Sequence, residues 1–505
     1  MSLFATKSIE QIEREQVGTG ERALKRVLGP TQLVMLGVGA IIGTGIFVLT
    51  GQAAAANAGP AIVISMVIAG LASALAGLCY SEFAASVPVA GSAYIYAYAT
   101  LGEFIAWVIG WDLILEYALG AATVAVGWSG NFVTLLGQLG LTFPAALSAA
   151  PGTPVALADG GIVTAVFNLP AVLITIAVTA LLVVGVSESA TVNAVVVVIK
   201  VAVVLIVIAA GAFFINPDNW TPFIPPNTGR FGEYGVSGIF RGAAVIFFAY
   251  IGFDAVSTSA QEATNPQRDM PRGILGSLAV CTVLYILISA VMVGLVPYRR
   301  MLGEPAPFVV AIDAAVQQAA GTPWDTPMMV TKVLITVGVL AGLSSVMVVM
   351  MLAQPRIFLA MGNDGLLPGW TRRIHPRFRT PHVSTLVTGF VVALAAGFTG
   401  IATLGNLVSI GTLMAFVIVS IGIIVLRSTR PDLPRPFRVP LSPFIPAASA
   451  AVSFVLMLSL PWATWERLIL WMVIGVVFYF AYGYRKSRIR AVQGSGLNRE
   501  PNLEP

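Results

Sequence analysis

Gly39-Ala-Ile-Ile-Gly-Thr-Gly-Ile-Phe47 lies in the middle of an apolar run, Thr31 to Ala56, long enough to cross a bilayer as a helix. Each glycine costs a helix interior roughly 1 kcal/mol relative to alanine. Glycines in a membrane helix serve one of two purposes. They let a neighbouring helix pack closely, or they let the helix open, and non-helical backbone at that depth must face a cavity or ligand that satisfies its amides and carbonyls. On the second reading this stretch marks a binding site near the membrane midplane.

The surrounding chain sets the class. Of its 505 residues 57% are hydrophobic and only 10% charged, which identifies an integral membrane protein. The apolar runs are about twice the length of a barrel strand and do not alternate, so the fold is an all-α bundle. Twelve runs are long enough to span, at approximately 31–56, 61–87, 101–136, 168–186, 191–215, 236–264, 273–296, 327–361, 384–400, 403–427, 442–460 and 466–484. They divide the chain into a tail (1–30), a transmembrane domain (31–485) and a second tail (486–505), of which Gly494 to Pro505 reads as disordered. With the amino terminus in the cytoplasm, 21 of the 28 lysines and arginines fall on the inner side. Both termini are therefore expected to be cytoplasmic, in a plasma (inner) membrane protein with no cleavable signal, and the basic excess needs no nucleic acid. Cys79 and Cys281 lie in apolar runs and read as small buried hydrophobes. His375 and His382 share a basic loop and offer no metal or haem site. The connections Gly137 to Phe167 and Asn216 to Gly235 read as external loops or lids.

A second interruption stands in span 6, where Phe247-Phe-Ala-Tyr-Ile-Gly-Phe-Asp254 places Gly252 and an aspartate inside an apolar run. If spans 1–5 (about 31–215) and 6–10 (about 236–427) are two repeats, five spans each make the second inverted, and both breaks fall on the first helix of a repeat. Two extra helices (about 442–484) follow. Inverted-repeat transporters build midplane sites this way. After the break in span 1 a half-helix starts near Thr44, and its free amides and positive dipole end suit a carboxylate. In span 6 a half-helix ends near Phe248 to Ile251, and its carbonyls and negative dipole end suit an ammonium. One anion site facing one cation site fits a zwitterion such as an α-amino acid, with Phe248 as a gate.

Five stretches carry a resemblance: GAIIGTGIFVLTG in span 1, YSEFAASVPVAGSAYIYAY across the end of span 2, GWDLILEYALG in span 3, FFAYIGFDAVSTSAQEATNPQRDMPRGI in span 6 and the following loop, and QPRIFLAMGNDGLLP ending span 8. In this order they resemble the amino acid-polyamine-organocation (APC) superfamily, and within it the cationic amino acid transporter family with its bacterial permeases, from about Leu28 to Tyr484. The resemblance implies the LeuT-like five-plus-five inverted repeat with helices 1 and 6 broken. It also implies a substrate held by Ile42, Gly43, Thr44 and Gly45 and by Phe248, Ala249 and Ile251, with walls from Glu116, Gly120, Ala121 and Ser344. Animal members prefer arginine and lysine while bacterial relatives include carriers of neutral amino acids, so cargo stays open.

Two readings stand for several ionisable groups. Glu116, four residues from Asp112 and on the same face of span 3, faces the cargo or bonds a neighbouring helix. Asp254 and Glu262 read as gate or helix-to-helix partners, and Glu82, Arg356 and Asp364 as parts of a structural network. Lys200 lies roughly 14 Å into span 5, too deep for easy snorkelling. It is either permanently paired or a carrier of the coupling proton. The resemblance favours the second, because proton-coupled members of the superfamily place a lysine here against the unwound part of span 1, where sodium-coupled relatives bind a cation. The expectation is a secondary carrier that moves L-amino acids by alternating access through proton symport, without sodium, cofactor or metal. Its other partners are membrane lipids. The competing readings are a cationic amino acid or polyamine exchanger and, more remotely, an amino acid sensor. No nucleophile, metal cluster or nucleotide motif points to an enzyme.

Overall fold

The computed structural model describes residues 3–8, 12, 28–86, 92–157, 160–185, 190–257, 260 and 262–490. Most of the first tail and the stretch 491–505, including the segment read as disordered, lie outside the described residues. Among those described, seven helical segments are long and apolar enough to cross a membrane, and five shorter apolar helices complete the bundle. Span 1 comprises Pro30–Ile41, Gly45–Leu49, Thr50–Ala53 and Ala54–Ala58. Span 2 is Ile62–Ser86, span 3 Glu103–Gln138, span 4 Leu169–Val184 and span 5 Ala190–Ala212. Span 6 comprises Gly235–Ile246, Phe247–Tyr250 and Phe253–Ser257, and span 7 is Pro266–Leu295. Spans 8 to 11 are Asp325–Asn363, His382–Phe398, Ile401–Thr429 and Phe444–Ser459, and span 12 starts with Trp462–Phe478 and continues to Lys486.

Counterparts in the two halves pack on each other. Span 2 lies along span 7, span 3 along span 8 and span 4 along span 9, while the turns of spans 1 and 6 meet. Span 10 packs on span 3, and spans 11 and 12 pack outside span 10. Small residues set the approach of spans 2 and 7, since a Cβ on Gly70 would touch Thr282 at 2.7 Å and one on Gly77 would touch Leu278 at 2.6 Å.

Three elements depart from the apolar runs. Span 6, read as reaching 264, is helical only to Ser257 among its described residues. After it Glu262 lies in a turn and Thr264 in a bend, and between them Ala263 forms a parallel bridge with Leu28. The Leu28 amide donates to the Glu262 carbonyl and the Thr264 amide to the Leu28 carbonyl, each at 2.9 Å, so the chain leaving span 6 is laced to the chain entering span 1. A helix over Pro307–Ala319 joins spans 7 and 8 and seats Phe308 edge-on against Phe47, with ring centres 5.1 Å apart. The external connection after span 3 holds a short hairpin, Pro154–Ala156 paired with Ile162–Thr164.

The face that carries Lys7 and Arg490 is closed by buried ion pairs. Glu82 accepts two hydrogen bonds from Arg427, at 2.9 and 2.5 Å, and one from the Val439 amide. Asp364 accepts from Lys7 at 2.5 Å and from the Tyr94 hydroxyl at 2.6 Å. Glu103 accepts from Arg490, Tyr479, Tyr98 and Ser487. A carboxylate with no exposed surface must be satisfied in this way. Arg356, by contrast, is exposed.

Candidate functional site

Span 1 opens where its glycines predict. The first half-helix ends at Ile41, and Ile42 is extended with φ −71° and ψ 101°. The helix resumes at Gly45, with Thr44 as its cap residue but without a capping side-chain bond. The first amides of such a helix have no preceding turn to donate to, and they carry the positive end of its dipole. The Thr44 hydroxyl, fully buried, has no hydrogen-bond partner among the described residues either. On the other side of the break the Gly39 carbonyl accepts from Lys200 Nζ at 2.6 Å and the Ile41 carbonyl from the Tyr285 hydroxyl at 2.9 Å. An ammonium on the last carbonyls of a half-helix sits where the dipole favours a cation.

Span 6 opens by a different route. A tight turn over Phe247–Tyr250 ends at Ile251, extended with ψ 139°, and Gly252 follows with φ +115° before the helix restarts at Phe253. That φ excludes side chains, and the same glycine lies so near Ala40 that a Cβ would sit 2.8 Å from its carbonyl. Asp254 holds the restart. Its carboxylate accepts from the Gly252 amide at 3.2 Å and from the Tyr117 hydroxyl of span 3 at 3.1 Å.

The two breaks touch. A Cβ on Gly45 would overlap the Cα of Ala249 and lie 2.7 Å from its amide nitrogen. Gly43 faces only the side chain of Val346, at 3.2 Å, and Thr44 lies against Gly127 of span 3. Ile42, Phe248, Ala249 and Ile251 are buried around this junction. Ser344 accepts from the indole of Trp128, next to Gly127, at 3.0 Å. Lys200 runs its methylenes along Gly342, 3.1 Å from where a Cβ would stand.

The remaining residues implied by the resemblance lie farther along span 3. Gly120 faces Met350 and Val408, between spans 8 and 10, and Ala121 is fully buried. Glu116 is 11 positions from Gly127, or roughly 16 Å along the helix. It stands beside Asp254, Asp112 and Thr412 rather than beside Thr44. One of its oxygens and both of Asp112 lack a hydrogen-bond partner. Sequence reasoning missed Tyr285, Tyr117 and Trp128, whose only signal was a polar aromatic tip in an apolar run. Among the described residues no group of three or more metal-ligating side chains gathers.

This arrangement can hold a small zwitterion between amide donors of one broken helix and carbonyl acceptors of the other, with a lysine bound to the same break. Known proteins similar to this chain are transporters. A family model described as amino acid permease matches residues 28–478. The chain is 46% identical over 488 residues to the branched-chain amino acid permease BcaP of Bacillus subtilis, covering 97% of this chain and 99% of that protein. It is 44% identical over 487 residues to the methylthioribose transporter of the same organism, covering 96% and 99%. It is 39% identical to the vacuolar cationic amino acid transporter 4 of Arabidopsis thaliana, covering 85% of this chain and 68% of that protein. Relatives of these names are transporters and not enzymes, and with a match over nearly the whole bundle the chain belongs to the amino acid permease family of the APC superfamily.

Proposed function

We propose that this permease takes up neutral, branched-chain L-amino acids across the plasma membrane by proton symport, with both termini in the cytoplasm. The observation that carries the coupling is the Lys200 bond to the Gly39 carbonyl at the opened part of span 1. The substrate carboxylate takes the amides at Thr44 and Gly45, and its ammonium takes the carbonyls ending the turn at Phe248, Ala249 and Ile251. Ser344, Gly120 and Ala121 border the side chain. A protonated Lys200 holds the first half-helix by its last carbonyls, and loss of the proton releases it. The same ammonium repels sodium, so no sodium is required. Support for branched-chain cargo comes from two relatives named as branched-chain permeases, at 46% and 36% identity.

One observation favours a second reading. Glu116 and Asp112 carry buried oxygens without partners, and a cationic side chain or a polyamine would fill that need. A panel of L-amino acids competing against labelled leucine in proteoliposomes decides between them. Leucine, isoleucine and valine are expected to compete, and accumulation should follow an imposed pH gradient in sodium-free buffer. Competition by arginine and lysine alone would favour the second reading. A strict sodium requirement would end the proton scheme.

A further inference from the structure

On the face opposite Lys7 and Arg490 a cavity of about 440 Å³ opens above the two breaks, within the roughly 300–1,000 Å³ range of small-molecule sites. Its walls combine apolar groups, including Leu49, Val245, Ile401 and Pro461, with Arg241 and Asn406. Arg241 is the one charged side chain among the described residues that line it. Its Nε donates to the Ser459 carbonyl and its guanidinium lies over the Phe231 ring, 5.5 Å from the centre. These contacts fix the group, and no carboxylate pairs with it among the described residues.

Asn406 supplies the complementary need. Its side-chain oxygen is buried without a hydrogen-bond partner among the described residues, an arrangement that costs free energy unless a donor arrives. The two residues stand at matching depth. Ser409 of span 10 donates to the Val245 carbonyl of span 6 at 3.4 Å, and both helices run inward from this face. About one turn outward from that contact lie Asn406 on one wall and Arg241 on the other, roughly 4.5 and 6 Å above it.

We propose that this vestibule is a second substrate site, which holds an α-amino acid before it reaches the broken helices. Arg241 takes the carboxylate, the Asn406 oxygen takes the ammonium, and Leu49, Val245 and Ile401 border an apolar side chain. The proposal rests on the reading that the cargo is an amino acid entering from this face.

The test uses an exposed lining residue, Ala402, as a reporter. The two native cysteines are fully buried, so Ala402→Cys gives a membrane-impermeant maleimide one accessible target among the described residues. L-Leucine should slow the alkylation, whereas L-leucinol, which lacks the carboxylate, should not. Protection should persist in Gly45→Ala chains at leucine concentrations too low to fill their weakened break. It should be lost on adding Arg241→Gln or Asn406→Leu, and partly restored by Arg241→Lys. In transport, Arg241→Gln should raise the KM for leucine about tenfold with kcat little changed, the loss of one charge-assisted contact. Protection that disappears with Gly45→Ala alone, or that survives both Arg241→Gln and Asn406→Leu, overturns the second site. If chains with the native break are protected by leucine but transport none, the transport reading falls and the vestibule site stands.

Discussion

Replacing Gly45 by alanine tests whether contact between the two broken helices sets substrate affinity. The added Cβ would overlap the Cα of Ala249 and lie 2.5 Å from its Cβ and 2.7 Å from its nitrogen, where ordinary contacts begin at 3.4 Å. Two of those atoms are backbone and no rotamer relieves them, so the outer half of span 1 must retreat from span 6 by about 1 Å. Overpacking of this kind costs about 1–3 kcal/mol, and a displacement near 1 Å between substrate-positioning groups costs about 100-fold. Gly43→Ala is the control. Its Cβ meets only the Val346 side chain, at 3.2 Å, and that chain can turn aside. Binding of labelled leucine to purified protein in nanodiscs, with thermal unfolding of the same samples, gives both numbers. We expect a 10- to 100-fold loss of affinity for Gly45→Ala and less than about threefold for Gly43→Ala. Equal, near wild-type affinity in both variants would refute the reasoning, because the carboxylate and ammonium sites would then tolerate being moved apart.

Three further outcomes are expected. Lys200→Met should keep some binding but lose accumulation driven by a pH gradient, and a variant that still concentrates leucine under that gradient would remove Lys200 from coupling. Glu116→Gln should alter the ratio of neutral to cationic uptake if Glu116 faces the cargo, and an unchanged ratio in the same assay would assign it to the group around Asp254 and Tyr117. Gly252→Ala combines a φ of +115° with the approach of Ala40, so it should lower thermal stability by about 1–3 kcal/mol or more and reduce the folded yield on size-exclusion chromatography.

The twelve runs were legible because hydrocarbon thickness imposes a length, and the breaks because glycine interrupts what apolar residues would otherwise continue. Span 5, read over 191–215, forms a helix over Ala190–Ala212, and span 9, read over 384–400, over His382–Phe398. The helix Pro307–Ala319 was not legible, since thirteen residues of mixed polarity fall below the length of a span. Nor could the sequence rank Gly43 against Gly45. Both sit in one motif, and what separates them is that one meets a side chain and the other a backbone some two hundred residues away. Glu116 shows the same limit. Its spacing from Asp112 follows from helix geometry, but its neighbour Asp254 comes from another repeat, and only packing brings the two together. The contact between Lys200 and Gly39 is also tertiary, and reached the sequence reading through family resemblance rather than through spacing.

The lacing of Leu28 to Glu262 and Thr264 bears on how such a bundle opens. Those backbone bonds join the approach to one broken helix with the exit from the other, at the face where the chain begins. The inner halves of spans 1 and 6 are thus two levers with a common handle. Each pivots at its own break, one at Ile42 and one at Gly252, but neither swings alone without tearing a strand-like pair. Opening toward that face is accordingly a single stroke, and a ligand bridging both pivots acts on one degree of freedom rather than on two.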